Sequence, residues 1–310
     1  MTSVRRRAEL VEFARSSIVR GSKSFSLASR LFDRTTRERA WLLYSWCRTC
    51  DDLADGQDHG GAMGHVSDAP ARVATMRRMV TAALAGDATG DPAFDGLGLV
   101  VAECGIPHRF VHDLIDGFAL DAAQWRPADE QDLLRYCYHV AGAVGCMMAV
   151  LMGVDPGDEA SLDRACDLGL AFQLANIARD VAEDAAAGRC YLPASWLAEK
   201  AIPPAQLMDL CHRPALTALV GRLCTLSERY EASARSGTAV LPWRARWAVL
   251  AAAGIYGDIA RKVRLTGDSA WNGRVHTGKV AKAAWVARAA MQTWRIPRAS
   301  ARDGLWIRPR

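Results

Sequence analysis

Little in this chain points to a sheet, a membrane span or export. No run of β-branched residues alternates with polar ones between turn residues, which excludes a substantial sheet. The longest apolar stretch, VAGAVGCMMAVLMGV at 140–154, falls short of the roughly 20 residues that a spanning helix needs, so no transmembrane segment is expected. The start, MTSVRRRAELVEF, has an arginine cluster but neither a long apolar core nor a small-residue cleavage site, and predicts no secretory signal. Extreme charge is missing as well. The 39 Lys and Arg oppose 34 Asp and Glu, for a net +5 and a pI near 8.8. That balance is too mild for a nucleic-acid partner, and it suits an enzyme of anionic substrates or a protein resting on an acidic membrane surface. The nine cysteines are odd in number and scattered through helical segments, which predicts free thiols in a reducing cytoplasm.

Apolar mass with helical spacing is abundant. With 310 residues and 50% apolar content, the chain can bury a large core. Periodicity of 3.6 predicts helices over 3–19, 38–55, 68–86, 107–120, 129–152, 158–187, 212–235, 240–265 and 277–291. GQDHGGAMGHVSDAP at 56–70 reads as a long loop, a lid or a disordered segment, directly after an acidic helix end. AGDATGDPAF at 85–94 reads as a second break, and no repeat of 20 to 50 residues is present. The organisation expected is one all-α domain over 1–295 and a loose basic tail over 296–310.

Two helices carry acids at one-turn spacing. In CRTCDDLAD, Asp51 and Asp55 stand i, i+4 with Asp52 beside them; in QLANIARDVAED, Asn176, Asp180 and Asp184 share one face. Like charges one turn apart destabilise a helix slightly, so the arrangement asks either for solvent or for a cation. Mg2+ fits an all-oxygen set completed by substrate phosphate, whereas Zn2+ would call for nitrogen and sulfur ligands. Each cluster has an arginine, Arg48 or Arg179, that either neutralises its neighbours or reaches a diphosphate. Facing one cavity, the two clusters would clamp a leaving diphosphate, and the remaining wall would have to be apolar and aromatic to shelter a carbocation.

Other patterns are set aside. Cys47 and Cys50 form a CxxC, but His59 and His65 follow at irregular spacing, so packing is the better reading than zinc. His108 and His112 lack the glutamate of a metalloprotease motif. DGLGLV lacks the strand and third glycine of a dinucleotide site.

Four blocks, GSKSFSLASRLF at 21–32, LYSWCRTCDDLAD at 43–55, RYCYHVAGAVGCMM at 135–148 and RACDLGLAFQLANIARDVAEDAAAGRCYLP at 164–193, in this order resemble the squalene/phytoene synthase family. The resemblance implies an isoprenoid synthase fold around a central cavity. It also implies head-to-head condensation of two geranylgeranyl diphosphates through prephytoene diphosphate to phytoene. It places metal ligation, by Mg2+ or by Mn2+ in its place, on Asp51, Asp55, Asn176, Asp180 and Asp184, with Asp52 in the first motif and Tyr44 and Arg48 in the catalytic set. Ser22, Lys23, Ser24, Arg48, Arg179, Arg189 and Tyr191 would grip diphosphate, with Arg274 a weaker match. Phe25, Tyr44, Tyr136, Val140, Gly145, Gln173 and Tyr256 would line the substrate cavity or, for the aromatics, pack in the core. The small residues Ala141, Gly142, Ala143 and Gly145 would admit a prenyl chain or let helices approach. No NADPH and no C-terminal anchor are expected. A cytoplasmic enzyme touching the membrane transiently, through its N-terminal arginines or its tail, and working beside downstream carotenoid enzymes is the implied setting. The rival readings are dehydrosqualene formation from farnesyl diphosphate and a non-catalytic assembly factor on the same domain.

Overall fold

The computed structural model describes residues 3–55, 68–295 and 301–310, and the side chains of Ser3, Val4, Lys23, Ser24 and Asp55 lie outside that description. The predicted lid loop, with His59 and His65, also lies mostly outside it. Among the described residues there is no strand. The helices are α1 (Ser3–Gly21), α2 (Lys23–Ser29), α3 (Arg34–Asp55), α4 (Ala69–Ala85), α5 (Pro92–Cys104), α6 (His108–Ala122) and α7 (Glu130–Cys137). They continue as α8 (Ala143–Leu151), α9 (Glu159–Ala186), α10 (Ala194–Glu199), α11 (Arg213–Gly237), α12 (Trp243–Thr266) and α13 (Lys279–Thr293).

The long helix α9 is the axis of the bundle, packed by α8, α11 and α12. One continuous core surrounds it, running from Trp46 and Phe94 through Phe110 and Tyr138 to Leu219 and Leu223. The helix α5 was not anticipated, because Gly96 and Gly98 interrupt its apolar pattern. Its boundary signals were nevertheless present: the Asp91 carboxylate accepts from the Ala93 N–H at 2.8 Å, Pro92 takes the first turn, and Gly105 closes it at φ +66°. Gly98 has a packing reason, since a Cβ there would stand 2.4 Å from the Ala83 carbonyl oxygen of α4.

The helix expected over 129–152 is broken by a π-turn at Tyr138–Gly142 between α7 and α8. Such turns insert a residue into the helical ladder and re-aim the side chains around it. The joined rod Glu130–Leu151 is, at 22 residues, long and apolar enough to cross a membrane by length and composition, contrary to the expectation from the shorter apolar run. Its Leu133, Cys137, Tyr138, Cys146 and Met147 are wholly buried among neighbouring helices, which makes it a core helix. The run of small residues is explained by close approach: a Cβ on Gly145 would stand 2.4 Å from the Ala165 carbonyl oxygen, and one on Gly169 2.3 Å from that of Ala141. All nine cysteines are free thiols, as expected.

The tail is not loose where it is described. Arg302 pairs with Asp167 at 2.6 Å, and Arg308 and Arg310 reach Asp163 at 3.0 and 3.2 Å, all on the N-terminal half of α9. Arg308 is completely buried, and the Trp306 ring lies 5.7 Å from that of Tyr138. The pattern of prolines and arginines suggested a loose tail because it could not show that acids on α9 wait beneath.

Candidate active site

Two chambers meet between α3, α6, the π-turn and α9. One is apolar, about 380 Å³, and extends between α2, α8, α9 and α12. The other is polar, about 990 Å³, and lies at the C-terminal ends of α3 and α9. Asp51, Phe118, Val140, Gln173 and Asn176 line both, so they form the seam. The π-turn places Val140 at that seam.

Helical spacing builds the polar chamber. On α9, Gln173, Asn176, Asp180 and Asp184 follow one another at steps of three or four and share a face. On α3, Tyr44, Arg48 and Asp51 do the same. Asp51 of α3 and Asp180 and Asp184 of α9 therefore border one hollow, with Arg48, Arg179, Arg189, Tyr136 and Tyr191 in the same wall. Asp52 borders neither chamber; it accepts from Arg48 Nε at 3.0 Å, and Arg48 lies 3.8 Å from Asp51. Arg179 Nε donates to Asp180 at 2.7 Å. Arg274, the weak match in sequence, reaches the same cluster from the segment after α12, 3.3 Å from Asp180 and 3.1 Å from Glu183.

Within the cluster Asp184 is the acid whose ionised form the surroundings oppose. Burial pushes the Asp184 carboxyl up to about 7, and Asp180, Asp121 and Glu183 add to the rise while Arg189 opposes it. The carboxylate oxygens of Asp51, Asp180 and Asp184, grouped at one hollow, suit a divalent cation, so the donor set fits the metal that the sequence implies. A second group that could hold a metal by proximity, Asp113, Asp116 and His139, lies within 4.8 Å of one another but outside both chambers. Its members already have protein partners: the Tyr138 hydroxyl donates to Asp113, His139 Nδ1 lies 2.9 Å from the Asp113 carbonyl, and Arg77 holds Asp116 at 2.7 Å.

Sequence reasoning missed Asp121. Its carboxylate accepts from both the Tyr136 and Tyr191 hydroxyls at 3.0 Å, and these rings stack with Trp125 into a column, their centroids 5.4 and 5.0 Å apart. The signal was an acid ending the apolar face of GFALD. Phe172 was also missed; its ring stacks on Tyr256 at 4.4 Å in the apolar chamber. Across that chamber Phe25 stacks on Tyr44 at 5.3 Å. Burial raises the Tyr44 phenol to about 12, so it stays protonated at neutral pH. A Cβ on Gly21 would sit 2.5 Å from its hydroxyl, so the backbone there closes over Tyr44. Ser22 spends its Oγ accepting from the Phe25 N–H at 3.2 Å as the cap of α2, and it lines the apolar chamber, away from the polar one where its expected role lies.

Residues 18–281 match the family model described as squalene/phytoene synthase. The chain belongs to the squalene/phytoene synthase family. It is thereby an enzyme of the prenyltransferase type, in a family of divalent-metal-dependent isoprenoid synthases. It is 46% identical to a phytoene synthase of Pseudescherichia vulneris over 97% of this chain and 98% of that one. It is 44% identical to a 15-cis-phytoene synthase of Enterobacter agglomerans over 93% and 99%. In structure it is similar to a dehydrosqualene synthase solved with a ligand, with a TM-score of 0.82 at 26% identity over 92% of this chain and 96% of that one. The fold expected from the sequence is the fold observed.

Proposed function

We propose that the chain condenses two geranylgeranyl diphosphates head to head, through prephytoene diphosphate, to phytoene, expelling one diphosphate at each step. The observation that carries this reading is the junction of an acid- and arginine-lined chamber with an apolar one across Asp51, Gln173 and Asn176. Asp51 and Asp55 of α3 and Asn176, Asp180 and Asp184 of α9 would hold Mg2+, which when bound supplies positive charge to the oxygens of the leaving diphosphate. Arg48, Arg179 and Arg189 orient those oxygens and share their charge. The stacked pairs Phe25–Tyr44 and Phe172–Tyr256 offer ring faces to the carbocation, and the apolar wall keeps water from it.

The chamber favours the longer prenyl chain. Its wall on α9 extends from Asn176 to Ser161, fifteen residues or roughly 22 Å at 1.5 Å per residue, which a four-unit tail fills further than a three-unit one. Incubating the purified protein with Mg2+ and either geranylgeranyl or farnesyl diphosphate, then identifying the hydrocarbon, tests this. Phytoene from the longer substrate is expected. A product from the shorter one alone would establish the dehydrosqualene reading instead.

A further inference from the structure

The apolar chamber ends at the short 3-10 turn Thr238–Val240 that joins α11 to α12. Val240 contributes to the chamber wall and is also 57% exposed, so the wall there is one side chain thick. Arg246 fixes what surrounds it. Its guanidinium donates to the carbonyls of Thr238 at 2.9 Å and Leu241 at 3.4 Å, to that of Ala239, and to that of Thr293 at 3.4 Å at the end of α13. This hub brings Trp243, 60% exposed, and Trp294, 89% exposed, beside the chamber's end. Trp243 is held in place: it stacks on Trp247 at 6.1 Å, whose indole N–H donates to the Val286 carbonyl at 2.9 Å.

The two segments that carry these rings bear charge of one sign. Neither 232–257 nor 269–295 contains an Asp or Glu, while the patch carries Arg244, over the Trp243 ring at 5.5 Å, and Arg295. Asp33, next to the Phe32 carbonyl that Arg244 reaches, is engaged by the Thr36 amide and hydroxyl. The basic groups first expected to meet a membrane are occupied elsewhere: Arg6 and Arg7 pair with Asp95, Glu38 and Glu103, and the tail arginines with α9. Exposed indoles ringed by arginines favour the headgroup region of a bilayer, and anionic headgroups add attraction.

We infer that the surface of Val240, Trp243 and Trp294 docks on an anionic lipid bilayer, with the apolar chamber ending there so that hydrocarbon product passes into lipid without crossing water. The delivery half rests on the proposed reaction; the docking half does not. The test is sedimentation of the full chain with phosphatidylglycerol–phosphatidylcholine vesicles and with phosphatidylcholine alone, without substrate, for wild type and Trp243→Ser/Trp294→Ser. Wild type is expected on anionic vesicles, released by salt, with the double variant weakened about tenfold yet unchanged in circular dichroism and in turnover with detergent-dispersed substrate. Equal partition of both proteins, no wild-type binding, or dimerisation through the patch in place of vesicle binding overturns the proposal. Phytoene formation without vesicle binding sinks docking alone; vesicle binding without phytoene formation sinks the reaction alone.

Discussion

The helix α9 carries two pairs of aspartates at the same i, i+4 spacing, Asp163 with Asp167 near its start and Asp180 with Asp184 near its end, and they have opposite fates. The first pair is covered by the protein itself: Arg302, Arg308 and Arg310 close over it and leave both acids buried. The second borders a chamber of about 990 Å³ shared with Asp51, and there the carboxyl of Asp184 is forced up to about 7. Spacing alone therefore does not mark a metal site. What separates the pairs is whether cations of the chain complete them or a hollow is left for cations from outside.

The comparison breaks most visibly in activity. Asp51→Ala or Asp180→Ala is expected to lower turnover by about 10³-fold or more with the far-ultraviolet circular dichroism unchanged, and chelating the divalent metal should do the same to wild type. Asp163→Asn with Asp167→Asn, by contrast, should leave metal binding intact when read by Mn2+ titration. Loss of Mn2+ binding in that variant would mean that the two ends of α9 are not separate in function.

Stability should show the reverse order. Arg308→Ala removes the fully buried guanidinium that pairs with Asp163 and leaves that acid only Arg302 and Arg310, at 3.4 and 3.2 Å; loss of one member of a buried ion pair costs at most about 3–5 kcal/mol. Urea denaturation should show a lower midpoint, with turnover at low temperature retained. If Arg308→Ala matched wild type in midpoint, the brace would be ornamental and residues 301–310 only lightly attached.

Much of this was legible beforehand. The acid faces of α3 and α9, the arginines beside them and the cavity aromatics follow from 3.6 periodicity and from four blocks of family-like sequence, and α3 and α9 themselves are among the helices predicted, whereas α2, which carries Phe25, is not. Besides Phe172, three things were hidden. The glycines of α5 interrupted its apolar pattern because their purpose lies on other helices, Gly98 against the Ala83 backbone and Gly96 against the Leu42 side chain. Asp121 was invisible because its role is defined by tyrosines fifteen and seventy residues away. The tail read as loose because its partners, Asp163 and Asp167, are also distant in sequence and no local pattern announces such a pairing. Local periodicity gives faces; long-range ion pairs have to be seen in three dimensions.

The smallest expected effect is also the most diagnostic of the second pair. Because Asp184 in the folded, metal-free protein ionises near 7 against an ordinary value of 3.8, the native state keeps a proton that the unfolded chain releases between those values. Stability then falls as pH rises through that window, by at most about 4 kcal/mol for a shift of this size. Asp184→Asn removes the penalty. Without metal the variant should melt several degrees above wild type at pH 8, with the gap closing as pH falls toward 4, even though its activity is lost. Divalent metal should reverse the order at pH 8, because wild type gains a ligand that the variant binds weakly. Measuring melting temperature across pH, with metal and with chelator, checks both halves; a gap that ignores pH would show that Asp184 is not held at its raised value by burial among like charges.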